Sequence, residues 1–381
     1  MGYEVPFTIA DVADLLSVRR LEGGAAGNML TLYAELTGLY GADRYKEAYW
    51  QVKEKLDTGD RRMRLYRQKR VERVQKKEKV DESLRVDTAH LDAVYREMLS
   101  MLKLKERHKA DLRRRGLSEG EIASMEQSGY RSTETSDSLR IARKLLSRGF
   151  CLKGVPGFFM NRSGDWEAAF YPSNEGYLCP VRAADGKIAG FQIRLDRPYK
   201  KRKYIWFTSS GLEGGTSSKS PAGLSGKMTG SVIRVTEGIL KAEIAYQCTG
   251  LAYIGNPGVS NYRGLYQMLC ELKPQGLQTV LECYDMDKML RLDCEGDYDG
   301  ACRECEWRKD AYSGFECPKK RQKRDYIRKG CLKLYEICRE LNLQCRRMTW
   351  DAGHDGMWNG EYKGIDDWIL RDTVERMQEA A

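Results

Sequence analysis

In the second half of the chain, the spacing of apolar residues switches between a strand-like period and a helical period. Short runs rich in β-branched residues predict strands, and longer stretches with helical spacing separate them. In chain order these segments cover residues 231–238, 239–250, 251–258, 261–276 and 277–285. The order strand, helix, strand, helix, strand predicts a parallel sheet with right-handed crossovers. The functional crevice of such a sheet lies beyond the carboxyl ends of its strands.

Upstream of this sheet, the composition of the chain changes twice. Residues 1–56 combine helix-like segments with a glycine-rich stretch, and residues 57–150 are basic and mostly helical in pattern. Residues 151–230 are rich in glycine and aromatic residues, and the turn Asp185-Gly186 between two strand-like runs predicts a hairpin. We therefore expect an α/β fold, in which a parallel sheet flanked by helices follows a small mixed β segment and an N-terminal helical region.

Composition narrows the class of partner. The 381 residues carry a formal net charge of +10, and such a basic excess favours a polyanion, either nucleic acid or an anionic membrane surface. No apolar run approaches the ~18 residues needed to cross a bilayer, and the first residues lack a signal-peptide pattern. Twelve cysteines without such a signal favour reduced thiols or metal ligands over a disulfide framework, which predicts a cytoplasmic protein.

Acidic residues stand where two of the predicted strands end. Glu237 closes the first strand and Asp285 the third, so both are expected at one edge of the sheet. In an extended segment Asp285 and Asp287 point the same way, while Met286 turns away. Three carboxylates so close repel one another, and a hard divalent cation such as Mg²⁺ (or Mn²⁺) relieves that repulsion. One or two such ions stabilise the charge that develops in phosphoryl transfer, and Lys288 is expected to contact a nearby phosphate.

A second group of charged residues belongs to the predicted hairpin and the strand after it. Lys200, Lys201 and Lys203 form a basic cluster between two strands, and Arg194 projects from the neighbouring strand. Together they predict a phosphate-binding platform, although charges that flank an exposed strand also serve to protect its edge. The basic stretch at 61–80 has two interpretations as well, a solvated helix or a surface that tracks phosphates.

An insertion at about residues 289–330 carries four cysteines, namely Cys294, Cys302, Cys305 and Cys317. The inner pair has the Cys-x-x-Cys spacing favoured for zinc, and the outer pair would complete a tetrahedral thiolate site. The alternative is a set of scattered free thiols in a basic loop. Farther along, a seven-residue spacing predicts the buried stripe of a helix for Cys331, Cys338 and Cys345.

A family resemblance is carried by three segments, VTEGILKAEIA, YIGNPGVSNY and LECYDMDK. They resemble the toprim domain of bacterial DnaG-type primases and of toprim proteins carried by plasmids and other mobile elements. This implies a toprim domain at 231–372, and Lys241 within it joins the residues expected to contact DNA or substrate. Upstream, PVRAADGKIAGFQIRLD and KYIWFTSS resemble the part of the primase core that lines the template and nucleotide path. Downstream, KGIDDWIL resembles a later acidic element, which implies an auxiliary metal role for Asp366 and Asp367.

The N-terminal segment departs from the family pattern. IADVADLL and LTLYAELTG resemble the two flanks of the primase zinc module, but the residues between Val18 and Leu30 include no cysteine or histidine. Residues 1–56 are therefore expected to form a degenerate, zinc-module-like segment that lacks its metal ligands.

The resemblance implies a primase-like nucleotidyltransferase that uses nucleoside triphosphates on single-stranded DNA during replication of a mobile element. A toprim nuclease would need the same carboxylates, so it remains an alternative. A third alternative is a non-catalytic replication factor that keeps the fold and binds single strands. Docking of a replicative helicase on the helical region stays open, and no membrane partner is expected.

Overall fold

The computed structural model describes residues 12, 16, 29–39, 43–57, 85–199, 202–294, 300–306 and 316–371. The chain divides into two compact units, residues 1–80 and 81–381. The basic stretch at 61–80 and the predicted platform residues Lys200 and Lys201 lie outside the described residues. Within the described part of the chain, no helix combines the length and the apolar character needed to cross a membrane.

The smaller unit is built on two helices, α1 (Met29–Thr37) and α2 (Arg44–Asp57). They bury apolar side chains that recur at helical spacing, including Tyr33 on α1 and Val52 on α2. Lys55 Nζ donates a hydrogen bond to Tyr33 Oη at 2.7 Å, which ties the end of α2 to α1.

The first part of the larger unit is an antiparallel sheet covered by helices. The helices are α3 (Thr88–Ser100), α4 (Glu106–Arg114), α5 (Glu119–Gln127) and α6 (Ser138–Ser147). The strands are β1 (Arg131–Ser132), β2 (Phe158–Met160), β3 (Trp166–Ala168), β4 (Gly176–Arg182), β5 (Ile188–Tyr199) and β6 (Arg202–Trp206). One sheet has the order β1-β4-β5-β6 with every neighbouring pair antiparallel, and β2 pairs with β3.

The β4–β5 hairpin confirms the turn predicted at Asp185-Gly186. Gly186 has a φ of 82°, a left-handed conformation that glycine adopts without a steric penalty. Beneath the hairpin, Phe191 of β5 packs in one hydrophobic core with Leu91 of α3 and Ile141 of α6. Residues on both sides of position 150, where a domain boundary was predicted, thus contribute to the same core.

The second part of the larger unit is an α/β sheet. Its strands are β7 (Gly223–Ser225), β8 (Val232–Glu237), β9 (Tyr253–Asn256), β10 (Thr279–Glu282) and β11 (Gln344–Arg347). Its helices are α7 (Ile239–Thr249), α8 (Tyr262–Leu272) and α9 (Pro318–Glu340). The strand order is β11-β10-β8-β9-β7, with the first four strands parallel and β7 antiparallel. The predicted parallel sheet is therefore confirmed, and β11, reached through α9, extends it.

Close packing of α7 on the sheet requires a glycine at position 255. A Cβ atom added there would lie 2.8 Å from the Cα of Ile239 and 2.9 Å from the carbonyl oxygen of Gly238. The first turn of α7 therefore rests directly on β9. Buried side chains of the sheet, such as Ile233, pack with Leu269 of α8 and with α9 in a second hydrophobic core.

The cysteine stripe predicted for one helix is wrong in its last member. Cys331 and Cys338 are buried on α9, as expected. The helix ends at Glu340, and Asn342 reverses the chain with a positive φ of 52°. Cys345 consequently lies on β11, where its thiol forms a hydrogen bond with that of Cys338.

A buried ion pair anchors the end of β10. Glu282 and Lys288 are both fully buried, and Lys288 Nζ lies 2.8 Å from Glu282 Oε1. The same ammonium group donates to the carbonyl oxygen of Met348 at 2.8 Å, and Tyr335 Oη on α9 donates to Glu282 Oε2 at 2.9 Å. The prediction that Lys288 contacts a substrate phosphate is therefore wrong, because its charge is neutralised inside the protein.

We expect Lys288→Met to lower the free energy of unfolding by about 3–5 kcal/mol, because it leaves the Glu282 carboxylate buried without its ammonium partner. Denaturant unfolding followed by circular dichroism measures the loss. Adding Glu282→Gln should restore part of it by removing a buried charge for which Arg347, 3.5 Å from Glu282 Oε2, compensates only in part. Lys333→Met, at an exposed ion pair, should change the stability by less than about 0.5 kcal/mol. A Lys288→Met protein as stable as the wild type would contradict this role of the pair.

Candidate active site at the carboxyl edge of the parallel sheet

Glu237 is the last residue of β8 and lies at the carboxyl edge of the sheet. Gly238 follows with a φ of 98°, and its N–H donates to the carbonyl oxygen of Asn256 at 2.6 Å. Because glycine adopts this conformation freely, the chain turns from β8 directly into α7. The turn leaves Glu237 half-buried, with its Oε2 atom enclosed and without a hydrogen-bond partner among the described residues.

Asp285 and Asp287 follow β10 in a turn. Asp285 precedes a 3₁₀ turn at Met286–Met289, so the expected extended segment, with its alternating directions, is wrong. The turn nevertheless brings both carboxylates to one ammonium group. Lys363 Nζ lies 2.7 Å from Asp287 Oδ2 and 3.9 Å from Asp285 Oδ2. Both aspartates are almost completely buried, with exposures of 4% and 1%.

The two aspartates nominated downstream take different positions. Asp366 is 3% exposed, and its Oδ1 atom has no hydrogen-bond partner among the described residues. A Cβ atom added to Gly364 would lie 2.2 Å from Asp366 Oδ1 and 3.0 Å from Lys241 Nζ, so both groups crowd the same glycine. Asp367 is exposed, and its Oδ2 atom accepts a hydrogen bond from the N–H of Gly364 at 3.1 Å. Asp366 thus faces the other carboxylates, while Asp367 secures the start of the helical segment 365–371.

The acidic cluster, defined as Glu237, Asp285, Asp287 and Asp366, shares one electrostatic environment. Burial raises the pKa of Glu237, and the Asp285 carboxylate raises it further. Burial also raises the pKa of Asp366 to about 6, against the attraction of Lys241 and with added repulsion from Asp367 and Asp285. Side chains from the ends of β8 and β10 and from the segment 365–371 therefore sense each other's charge.

Three lysines neutralise much of the acidic cluster. Lys241 Nζ donates to Asp285 Oδ1 at 2.5 Å, and Lys323 Nζ on α9 lies 3.4 Å from Asp287 Oδ2, beside Lys363. Burial alone would lower the pKa of Lys241, but Asp285, Asp366 and Glu237 outweigh it and raise that pKa above its usual value. The sequence interpretation included Lys241 and missed the other two. Lys363 lies three residues before Asp366, and that proximity was the available signal.

The donor set of the acidic cluster fits a hard divalent cation. Every donor is a carboxylate oxygen, the ligand that Mg²⁺ and Mn²⁺ prefer. Two of these oxygens, Glu237 Oε2 and Asp366 Oδ1, are enclosed without hydrogen-bond partners in the described residues. Across those same residues, however, no three His, Cys, Asp or Glu side chains stand in an arrangement ready to hold a metal ion. The lysine ammonium groups act as the counter-charges in this arrangement.

The predicted phosphate platform is described in part. Arg194 on β5 is half-buried and stacks over the ring of Tyr204, with 5.2 Å between the guanidinium carbon and the ring centre. Lys203 on β6 is exposed.

Arg194 also lines a cavity of about 310 Å³ together with Arg107 and Arg114, which the sequence interpretation missed. Their seven-residue spacing on α4, typical of one helix face, was the signal that could have found them. Asp196 and Asp111 line the same cavity and pair with Arg107 and Arg114 at 3.3 and 2.8 Å.

No family model matches the chain, and no curated protein matches it. Solved structures of primase catalytic cores do align with it. The Aquifex aeolicus primase, with its zinc-binding and RNA polymerase domains, is 11% identical, with a TM-score of 0.48, over 97% of this chain and 82% of that chain.

Two further structures show the same kind of similarity. A DnaG primase catalytic domain bound to single-stranded DNA is 17% identical, with a TM-score of 0.43, over 77% of this chain and 81% of that chain. A DNA primase domain from Pseudomonas aeruginosa is 16% identical, with a TM-score of 0.42, over 76% of this chain and 78% of that chain. In all three alignments the identity is 17% or lower and the TM-score is 0.48 or lower.

The raised pKa of Asp366 predicts how its removal changes stability with pH. Folding raises the pKa of Asp366 from 3.8 to about 6. As the pH rises, the carboxyl group therefore loses its proton in the unfolded chain before it does so in the native state. Above about pH 6 it is ionised in both states, and its charge then lowers the free energy of unfolding. With a chelator present to remove metal ions, Asp366→Asn should raise the free energy of unfolding by on the order of 2 kcal/mol at about pH 8. The gain should be much smaller at about pH 4.5. Denaturant unfolding at the two pH values measures both gains. Equal gains would contradict the assignment.

Proposed function

We propose that this chain is a primase-like nucleotidyltransferase that joins ribonucleotides on single-stranded DNA through a metal-dependent, toprim-type site. The observation that carries the proposal is the meeting of Glu237, Asp285 and Asp287 at the carboxyl edge of a parallel sheet, with Asp366 beside them. Such an edge is where open α/β sheets hold their ligands. In this proposal residues 231–372 form the toprim domain and residues 151–230 the preceding part of the primase-like core.

The acidic cluster would hold one or two Mg²⁺ or Mn²⁺ ions, which supply charge stabilisation to the transferred phosphoryl group. Glu237, Asp285 and Asp287 are the primary ligands in this proposal. Asp366 is better placed than Asp367 for the auxiliary role, since the latter is exposed and bonded to its own backbone.

The lysines of the site have a second task in this proposal. Lys241, Lys323 and Lys363 keep the carboxylates neutralised in the free protein. Lys241 and Lys363 retain 27% and 43% side-chain exposure, so a triphosphate entering the crevice can exchange with the carboxylates as their partner. Ammonium groups that change partners in this way would bind and orient the nucleotide.

The single-stranded template would follow the platform at β5 and β6. Arg194 and Lys203 are its described members, Lys200 and Lys201 continue it in sequence, and Arg107 and Arg114 enlarge it. Arginine and lysine side chains of this kind contact phosphates without reading sequence. We extend the proposal to a cytoplasmic setting, which the cysteine content predicts, and to replication of a mobile element, which the resemblance implies. Docking of a replicative helicase stays open.

A second candidate function is non-catalytic binding of single-stranded DNA. The pairing of Asp285 and Asp287 with lysines favours it, because a site that never binds metal would need such counter-charges permanently. A toprim nuclease would use the same carboxylates as the primase. The three differ in their products, so one assay separates them.

We expect the purified chain to make short RNA on single-stranded DNA with nucleoside triphosphates and Mg²⁺ or Mn²⁺. Asp285→Asn should reduce this synthesis by at least about a hundredfold, because it removes a metal ligand while it keeps the size of the side chain. Gel analysis of labelled products measures both activities. Asp185→Asn is the matched control, since Asp185 is exposed in the β4–β5 turn, where asparagine before glycine is equally suitable.

The alternatives give different results in the same assay. Shortened DNA that disappears with Asp285→Asn would replace the primase with the nuclease. A shifted DNA band without products would leave the binding protein. Full synthesis by Asp285→Asn would remove the acidic cluster from the mechanism.

A further inference from the structure

The backbone near the start of α9 brings together two of the four cysteines of the insertion, Cys294 and Cys317. An antiparallel β-bridge joins Asp293 to Glu316, and the N–H of Cys317 donates to the carbonyl oxygen of Leu292 at 2.7 Å. Because side chains alternate along extended backbone, Cys294 and Cys317 lie on the same face of this bridge, as diagonal neighbours. Two cysteines that are 23 residues apart in the sequence are thus brought side by side.

The thiols of the outer pair, Cys294 and Cys317, lie within hydrogen-bonding range of each other. Burial raises the pKa of Cys294, and the Cys317 thiol, with which it forms a hydrogen bond, raises it further. Cys305 adds to the same shift, so a third sulfur lies within electrostatic reach. Cys302 is tied to Cys305 by a turn, in which the N–H of Cys305 donates to the carbonyl oxygen of Cys302 at 3.3 Å.

We propose that Cys294, Cys302, Cys305 and Cys317 bind one structural Zn²⁺ ion as a tetrahedral thiolate site. The turn at the inner pair follows the Cys-x-x-Cys spacing of zinc knuckles, and the bridge supplies the outer pair. On binding, four S–H groups release their protons to solvent and four Zn–S bonds form, with no change of oxidation state. Scattered thiols, the alternative, would not require the bridge that places Cys294 beside Cys317.

Metal binding would bring all four thiols together, whereas the fold alone pairs only two of them. Among the described residues the thiols are not yet grouped around one centre, while Zn–S bonds are only about 2.3 Å long. The ion would therefore draw the Cys302–Cys305 turn onto the Cys294–Cys317 pair. Such coupling of metal binding to local folding is usual for small thiolate sites.

The zinc site would also hold α9 at the acidic cluster. Cys317 is the N-cap residue of α9, and Lys320 Nζ in the first turn donates to the carbonyl oxygen of Asp293 at 2.7 Å. Three residues after Lys320, α9 presents Lys323 to Asp287. A metal bound by Cys317 and Cys294 would thus fix the end of the helix that delivers a lysine to the site.

The metal content of the full chain tests this inference. We expect protein made without a polyhistidine tag, in zinc-supplemented medium, to contain one zinc ion per chain by plasma mass spectrometry. Cys305→Ser should lower this to below about a tenth of an ion, because three thiolates bind zinc far more weakly than four. Cys151→Ser, at an exposed cysteine outside the insertion, should retain the full ion. Co²⁺ in place of zinc should give the intense thiolate absorption of a tetrahedral site.

A measurement on the unaltered chain guards against misfolding of the variant. In alkylation followed by mass spectrometry, the four cysteines should become reactive together when a zinc chelator is added, while Cys151 reacts equally with and without it. Wild-type protein that stays free of zinc after anaerobic incubation with Zn²⁺, or a Cys305→Ser protein with a full ion, would overturn the inference. Metal content and alkylation do not depend on RNA synthesis, so they test this site separately from the proposed function.

Discussion

Carboxylates crowded into a buried crevice must be neutralised, and the arrangement of the α/β sheet follows from that constraint. Glu237, Asp285, Asp287 and Asp366 come from three separate places in the chain, and the three aspartates are almost completely buried. Uncompensated, such a group would carry the large penalty of buried like charges. Lys241 on α7, Lys323 on α9 and Lys363, just before the helical segment 365–371, reduce that penalty. In the proposed function, a cation or a substrate that binds here must compete with these lysines for the carboxylates.

Near this crevice, a buried ion pair stabilises the sheet. Glu282 and Lys288 are fully buried between β10 and α9, so the turn that carries Asp285 and Asp287 is anchored at both of its ends. Helix α9 connects the two levels, since Tyr335 binds Glu282 while Lys323 reaches Asp287. Its N-terminus adjoins the cysteine insertion. One helix thereby links the buried ion pair, the acidic cluster and the proposed zinc site.

The parallel sheet could be predicted from the sequence because apolar residues recur with a clear period in its strands and helices, and because these elements end at distinct turns. The hairpin at Asp185-Gly186 could be predicted for the same reason. The local path after β10 was not, because periodicity does not report a 3₁₀ turn that packs against a distant segment, and the contact of Met286 N–H with the carbonyl oxygen of Lys363 has no local signature. Lys288 was misassigned since a lysine next to two aspartates reads as a surface charge. Its partner Glu282 lies six residues earlier, on a strand whose burial only the fold determines.

The account rests on the acidic cluster as a cation site, and Mn²⁺ binding tests this most directly. Electron paramagnetic resonance of Mn²⁺ titrated into the protein separates bound from free ion without any need for turnover. We expect the wild type to bind one or two ions, and Glu237→Gln to weaken that binding by at least about tenfold through loss of one ligand. If Mn²⁺ bound the two proteins equally well, or neither of them, the carboxylates would serve only the lysines beside them.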